Sequence, residues 1–134
     1  MARKTEAYVD TSAFIAFLDR SDSYHTPFRR LFSAPPPLIT SSLVIAEGHG
    51  WFLRRYDQQR AIQFLAFIGE LSPLRIYPFA SKDLTGAATL LKKFADHPLT
   101  LADLHGLMLM RERSISSCWS TDRHLSLLGA SLVV

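Results

Sequence analysis

Short apolar runs alternate along this chain with longer stretches in which apolar residues return every three or four positions. Tyr8 and Val9 form the first short run, which reaches Asp10 at once. From Thr11 to about Arg20, Phe14, Phe17 and Leu18 recur at helical spacing and predict a helix. Asp19 to Ser23 is a polar break. Tyr24 to Phe32 predicts a second helix carrying Phe28, Leu31 and Phe32, with Pro27 in its first turn, where a missing N–H costs little. Pro35, Pro36 and Pro37 forbid helix and make a stiff connector. Leu38-Ile39-Thr40 reads as a second strand. Ser41 or Ser42 caps a helix running to about Tyr56, and Asp57 caps another through Leu71, with Ala61, Phe64, Leu65 and Ile68 on one side. Leu74 to Tyr77 is a third strand. Ser81 to Ala95 is helical, with Leu84, Ala87, Ala88 and Leu91 at core spacing, and Thr100 to about Arg113 is the next helix. Ile115 to Trp119 is a strand. Ser120-Thr121-Asp122 then turns into a short helix ending near Gly129, and Leu132 to Val134 is a last strand.

Strands alternating with helices predict an α/β sandwich built on a parallel sheet. A chain of 134 residues is read as one domain, residues 1–134, and 48% hydrophobic composition suits a packed core. Charge changes the picture little. Fifteen Lys plus Arg against 12 Asp plus Glu permit a nucleic-acid partner without demanding one. The single cysteine, Cys118, excludes an internal disulfide and reads as a small core residue. The five histidines are scattered, without zinc-site spacing. The apolar run after Asp10 is too short and too flanked by acids for a secretion signal, and nothing approaches a membrane span. The expectation is a soluble, cytoplasmic protein with no membrane partner.

Four acids stand out by position. Asp10 ends the first strand, and Asp122 repeats that setting: an apolar strand, hydroxyl residues, then an acid opening a helix. Asp103 stands three residues after Thr100, the spacing of a capping box. Glu47 lies inside an apolar helix with Leu at position 43 and Trp at position 51, so no basic residue pairs with it at one-turn spacing. Each has an ordinary alternative: a helix cap for the three aspartates, an exposed polar stripe for Glu47. Thr11 and Ser12 can also serve the first helix start. Gly48 and Gly50 follow Glu47 and are poor helix formers, which points to close packing or close approach of a ligand. If the strands are parallel neighbours, the acids gather along one edge of the sheet, where ligands of open α/β sheets bind. Four carboxylates there would repel one another and raise their pKa values. Hard divalent cations relieve that repulsion, and oxygen-only donors suit Mg²⁺ or Mn²⁺, the ions of phosphodiester hydrolysis.

The acids occur in stretches that resemble the PIN-domain ribonucleases, most closely VapC-like toxins of bacterial toxin–antitoxin pairs. The segment YVDTSAFIAFLDRSDSYHTPFRRLF resembles the family's opening, with an Asp-Thr-Ser turn and a later Asp-x-x-His. LITSSLVIAEGHGWFLRR resembles the second block and places Glu47, HPLTLADLHGLMLMRERSI the third with Asp103, and WSTDRHLSLLG the fourth with Asp122. The chain departs from the usual look at Gly48-His49-Gly50 and at Leu104-His105, where His49 and His105 read as packed or surface residues. The resemblance implies a three-layer α/β/α sandwich with a mainly parallel sheet. It also implies Mg²⁺- or Mn²⁺-dependent endoribonuclease activity and a homodimer silenced by an antitoxin.

On this reading Asp10, Glu47, Asp103 and Asp122 are the catalytic, metal-holding residues. Ser12 and Ser120 orient their carboxylates by hydrogen bonds. Arg29, Arg30, Arg54, Arg55, Arg111, Arg113 and Arg123 are candidate contacts to an RNA backbone, or else solvated helix faces. The rival reading keeps the fold and drops the chemistry, leaving a nucleic-acid-binding or regulatory module. A phosphatase with an aspartate nucleophile wants a second Asp two residues after the first; here Ser12 stands there. The phenylalanines of the first two helices are either core or a surface for a dimer partner or antitoxin.

Overall fold

The computed structural model describes residues 6–127 and 129–133. The chain folds as a five-stranded sheet in the order β3-β2-β1-β4-β5, with every pairing parallel. The strands are β1 (Ala7–Val9), β2 (Leu38–Ser41), β3 (Leu74–Tyr77), β4 (Ser117–Trp119) and β5 (Ser131–Leu132). Between them run α1 (Thr11–Leu18), α2 (His25–Ser33), α3 (Ser42–Arg55), α4 (Gln58–Glu70), α5 (Asp83–Lys93), α6 (Leu101–Glu112) and α7 (His124–Leu127). The architecture is the three-layer α/β/α sandwich expected. Element ends differ from the sequence reading by two residues at most. The last strand begins one residue early, at Ser131, and Val134 lies outside the described residues.

The central strands are covered on both faces, so they read as unbroken apolar runs. Ala7, Tyr8, Val9, Leu38 and Ile39 are all buried. β3 is an edge strand, and Arg75 and Ile76 on it are exposed. The phenylalanines are largely core: Phe14 and Phe28 are fully buried and Phe32 nearly so, and Phe32 meets Trp119 edge to face at 5.0 Å. Cys118 is buried among them, as expected. Ser41 caps α3 by accepting from the Leu43 N–H, and Asp57 caps α4 by accepting from the Arg60 N–H.

Two expectations from periodicity do not hold. Leu84 and Leu91 on α5 are 56% and 49% exposed, and only Ala87 of that helix is buried. Leu65 on α4 is also exposed, while Ala61, Phe64 and Ile68 are buried. Periodicity says which side of a helix is apolar. It does not say how wide a strip the neighbouring elements cover. Among the described residues no helix is long and apolar enough to cross a membrane.

Two glycines set distances that matter for the site. A Cβ at Gly48 would fall 2.4 Å from the Phe64 ring, so only glycine lets α3 lie this close to α4. A Cβ at Gly106 would fall 2.5 Å from the Tyr8 ring and hydroxyl, so Gly106 lets α6 lie against β1. Asp103 stands one turn before Gly106 on the same helix.

Candidate metal centre

β1 has β2 on one side and β4 on the other, so β2 and β3 are added outward on one side and β4 and β5 on the other. The crevice at the carboxyl ends of strands beside such a point is where open α/β sheets bind ligands. Asp10 directly follows β1 and its N–H donates to the Trp119 carbonyl at 2.9 Å, which extends the pairing with β4 by one rung. Ser120 follows β4 and so stands beside Asp10.

Asp10 occupies the N-cap position of α1 but makes no side-chain cap bond. Its Oδ2 instead accepts from Ser120 Oγ at 3.0 Å and from Ser12 Oγ at 3.1 Å. Ser12 Oγ also accepts from the Thr121 N–H at 2.9 Å. The expected cap role of Thr11 and Ser12 is therefore corrected: Thr11 Oγ1 donates to Glu47 Oε1 at 2.7 Å, and Ser12 serves Asp10. Asp10 is 4% exposed. Burial, reinforced by the charge of Asp103, pushes its carboxyl from the usual 3.8 up to about 6, against the lowering effect of the Ser120 and Ser12 hydroxyls.

Asp103 and Asp122 hold local structure and reach the same place. Thr100 and Asp103 form a reciprocal capping box, Oγ1 accepting from the Asp103 N–H and Oδ2 accepting from the Thr100 N–H. Asp122 Oδ1 accepts from the His124 N–H at 2.9 Å and lies 3.0 Å from His124 Nδ1. One carboxylate oxygen each from Asp10, Asp103 and Asp122 lie within 4.8 Å of one another. Glu47 lies outside this trio but lines the same cleft, of about 290 Å³, together with Thr11, Ser12, Ile15, Trp51 and Arg54. Ser12 on the cleft wall and the fully buried Ser120 behind Asp10 are 3.1 Å apart between their hydroxyl oxygens.

The donor set fits a hard divalent cation. It is all oxygen, it is partly desolvated, and Asp10 sits where its ionised form is disfavoured without added positive charge. Among the described residues the only basic side chain within ion-pair distance of the trio is His124, on Asp122. His105 takes no part: it is buried, its Nδ1 meets Ser41 Oγ at 2.6 Å, and burial lowers its pKa. His49 does not line the cleft. Trp51 and Arg54, which also line the cleft, leave one signal in the sequence: they follow Glu47 by four and seven residues, the spacing of one helix face.

No curated protein matches the chain in sequence. Solved structures resemble it in fold. The VapC20 toxin of Mycobacterium tuberculosis, described as cleaving the sarcin–ricin loop, superposes with a TM-score of 0.85 at 23% identity, over 93% of this chain and 96% of that one. A Pyrobaculum aerophilum protein gives a TM-score of 0.68 at 18% identity, over 96% and 90% of the two chains. VapBC2 of Rickettsia felis, solved on a DNA fragment of its promoter, gives 0.64 at 15% identity, over 96% and 97%. The sequence matches the PIN domain over residues 7–130, which includes all four acids and both serines, and on that match the chain belongs to the PIN-domain family.

Proposed function

We propose that this protein is a divalent-metal-dependent endoribonuclease, the toxin of a toxin–antitoxin pair. The observation that carries the reading is the convergence of Asp10, Asp103 and Asp122, brought from three separate elements to one cleft. The three aspartates would hold Mg²⁺ or Mn²⁺. Such an ion, when bound, lowers the pKa of water and offsets charge on the phosphodiester. Ser12 and Ser120 fix the Asp10 carboxylate through Oδ2. Glu47, half-buried in the cleft wall and hydrogen-bonded by Thr11, would orient an attacking water and take its proton. That water would attack phosphorus, the P–O bond to the leaving ribose oxygen would break, and that oxygen would take its proton from solvent. No side chain forms a covalent intermediate. Likeness to VapC and VapBC structures supports an antitoxin partner and a toxin role, and a homodimer belongs to the same reading.

The test is cleavage of single-stranded RNA by the purified protein in Mg²⁺ or Mn²⁺ and in EDTA, with Asp10→Asn and Asp103→Asn alongside. Metal-dependent cleavage lost in both variants supports the proposal. Equal activity in all three proteins, or in EDTA, refutes it. Absence of any cleavage, with RNA binding retained, would favour the binding-module reading. Sequencing RNA ends after brief expression in a bacterial host would identify the target.

A further inference from the structure

Glu47, Trp51 and Arg54 stand at intervals of four and three residues on α3, so they share one face over two helical turns. All three line the cleft that holds the aspartates. Trp51 is half-buried. Its aromatic neighbours Phe52 and Tyr56 meet it edge to face, at 4.9 and 6.2 Å, and neither stacks parallel on it. Arg54 has no carboxylate within ion-pair distance among the described residues. Its guanidinium folds back over Gly50: a Cβ there would lie 2.9 Å from Arg54 Nη1. A glycine inside a helix costs about 1 kcal/mol against alanine. Here it leaves the space in which a guanidinium lies beside an acidic cleft. An indole and a guanidinium in line along a cleft wall are the two parts of a single-strand binding track, a stacking surface and a phosphate contact.

We propose that Trp51 and Arg54 form a nucleotide subsite flanking the reactive centre, with Trp51 stacking on one base of single-stranded RNA and Arg54 contacting an adjacent phosphate. The proposal rests on the reading of the cleft as a ribonuclease site. The subsite places the scissile phosphate against the aspartates by holding the nucleotide beside it. Stacking accepts any base, so the subsite sets single-strand preference and register rather than base identity.

The test is titration of single-stranded RNA 12-mers of mixed sequence into protein in the Asp10→Asn background, with 1 mM Mg²⁺, followed by tryptophan fluorescence. Trp119 is buried at 3% exposure, so a change on binding reports Trp51. Quenching is expected on RNA addition. Trp51→Phe is expected to lose the signal and keep most of the affinity, whereas Trp51→Ala weakens binding at least ~5-fold. Arg54→Gln is expected to reduce the slope of log affinity against log salt by ~0.7. A 12-mer with abasic nucleotides throughout is expected to bind the parent more weakly than intact RNA does, and to show a smaller loss with Trp51→Ala. The loss in the parent reports stacking even if Trp51→Ala fails to fold. In the otherwise wild-type enzyme, Trp51→Ala and Arg54→Gln are expected to raise KM more than they lower kcat. If both variants bind and cleave RNA like the parent, the subsite is refuted while the ribonuclease reading stands. If quenching and the abasic effect appear but no protein cleaves RNA, the subsite stands and the ribonuclease reading fails.

Discussion

Replacing Asp10 with Asn is expected to stabilise the metal-free protein while abolishing the proposed RNA cleavage, and both effects come from removing one buried carboxylate charge. Asp10 is buried beside Asp103, and its carboxyl titrates near pH 6 in the folded chain against 3.8 for the free group. The unfolded chain therefore releases this proton first. Between about pH 4 and pH 6 the native state loses stability relative to the unfolded state, and above pH 6 the loss is complete. A rise from 3.8 to about 6 corresponds to ~3 kcal/mol at neutral pH. Asparagine removes the charge and keeps an amide oxygen to accept from Ser12 and Ser120. The neutral acceptor makes weaker bonds, so the net gain is ~1–3 kcal/mol. For a chain of 134 residues that is a rise in Tm of ~3–10 °C. Thermal melts of both proteins at pH 7.5 in EDTA, and again at pH 3.5, measure it. The variant is expected to melt higher at pH 7.5, and the gap is expected to close at pH 3.5, where the wild-type carboxyl is protonated. Adding Mn²⁺ at pH 7.5 is expected to raise the Tm of the wild type and leave that of the variant nearly unchanged. A variant that melts below the wild type at pH 7.5, or a gap that is the same at both pH values, would show that no buried charge is held at this position.

Other outcomes follow from single contacts. Asp103→Asn and Glu47→Gln are each expected to reduce RNA cleavage at least ~100-fold, the first by removing a metal-holding carboxylate and the second by removing the base; initial rates in Mn²⁺ measure both. Gly106→Ala is expected to cost at least ~2 kcal/mol in urea unfolding, because the added methyl meets the Tyr8 ring and hydroxyl at 2.5 Å, and it shifts Asp103 away from Asp10. Tyr8→Phe is expected to leave stability unchanged or raise it by ~1 kcal/mol by the same measurement, since the Tyr8 hydroxyl is buried without a hydrogen-bond partner among the described residues. Cys118 is expected to resist iodoacetamide in the native protein and react only on unfolding, because burial raises its thiol pKa far above the usual range; mass spectrometry reads the adduct.

Two of the aspartates in the trio do double duty. The capping box at Asp103 and the turn at Asp122 are the ordinary structural roles that compete with a metal reading, and both are present. They do not displace it. A carboxylate has two oxygens and several lone pairs, so one acid can hold a helix start and still face a cleft. The cap bonds also restrain the side chains, which lowers the entropic cost of converging three like charges. Asp10 differs: it holds no cap, and its oxygen is served by two serines from opposite ends of the chain.

Much of this protein was legible along the chain. The strand–helix alternation, the caps at Ser41, Asp57 and Thr100, and the strand-end placement of Asp10 and Asp122 all follow from interactions between residues a few positions apart, which leave a pattern in sequence. The exposure of Leu84 and Leu91 did not, because an apolar stripe exists whether or not a neighbour covers it. Nor did the composition of the trio. Asp10 meets Ser120 across 110 residues of chain, and Thr11 meets Glu47 across 36. Those meetings depend on β1 lying between β2 and β4, and on Gly106 letting α6 approach β1. Strand order and close approach are properties of the packed whole. They set Glu47 on the cleft wall, apart from the three aspartates, and brought Trp51 and Arg54 to the same wall.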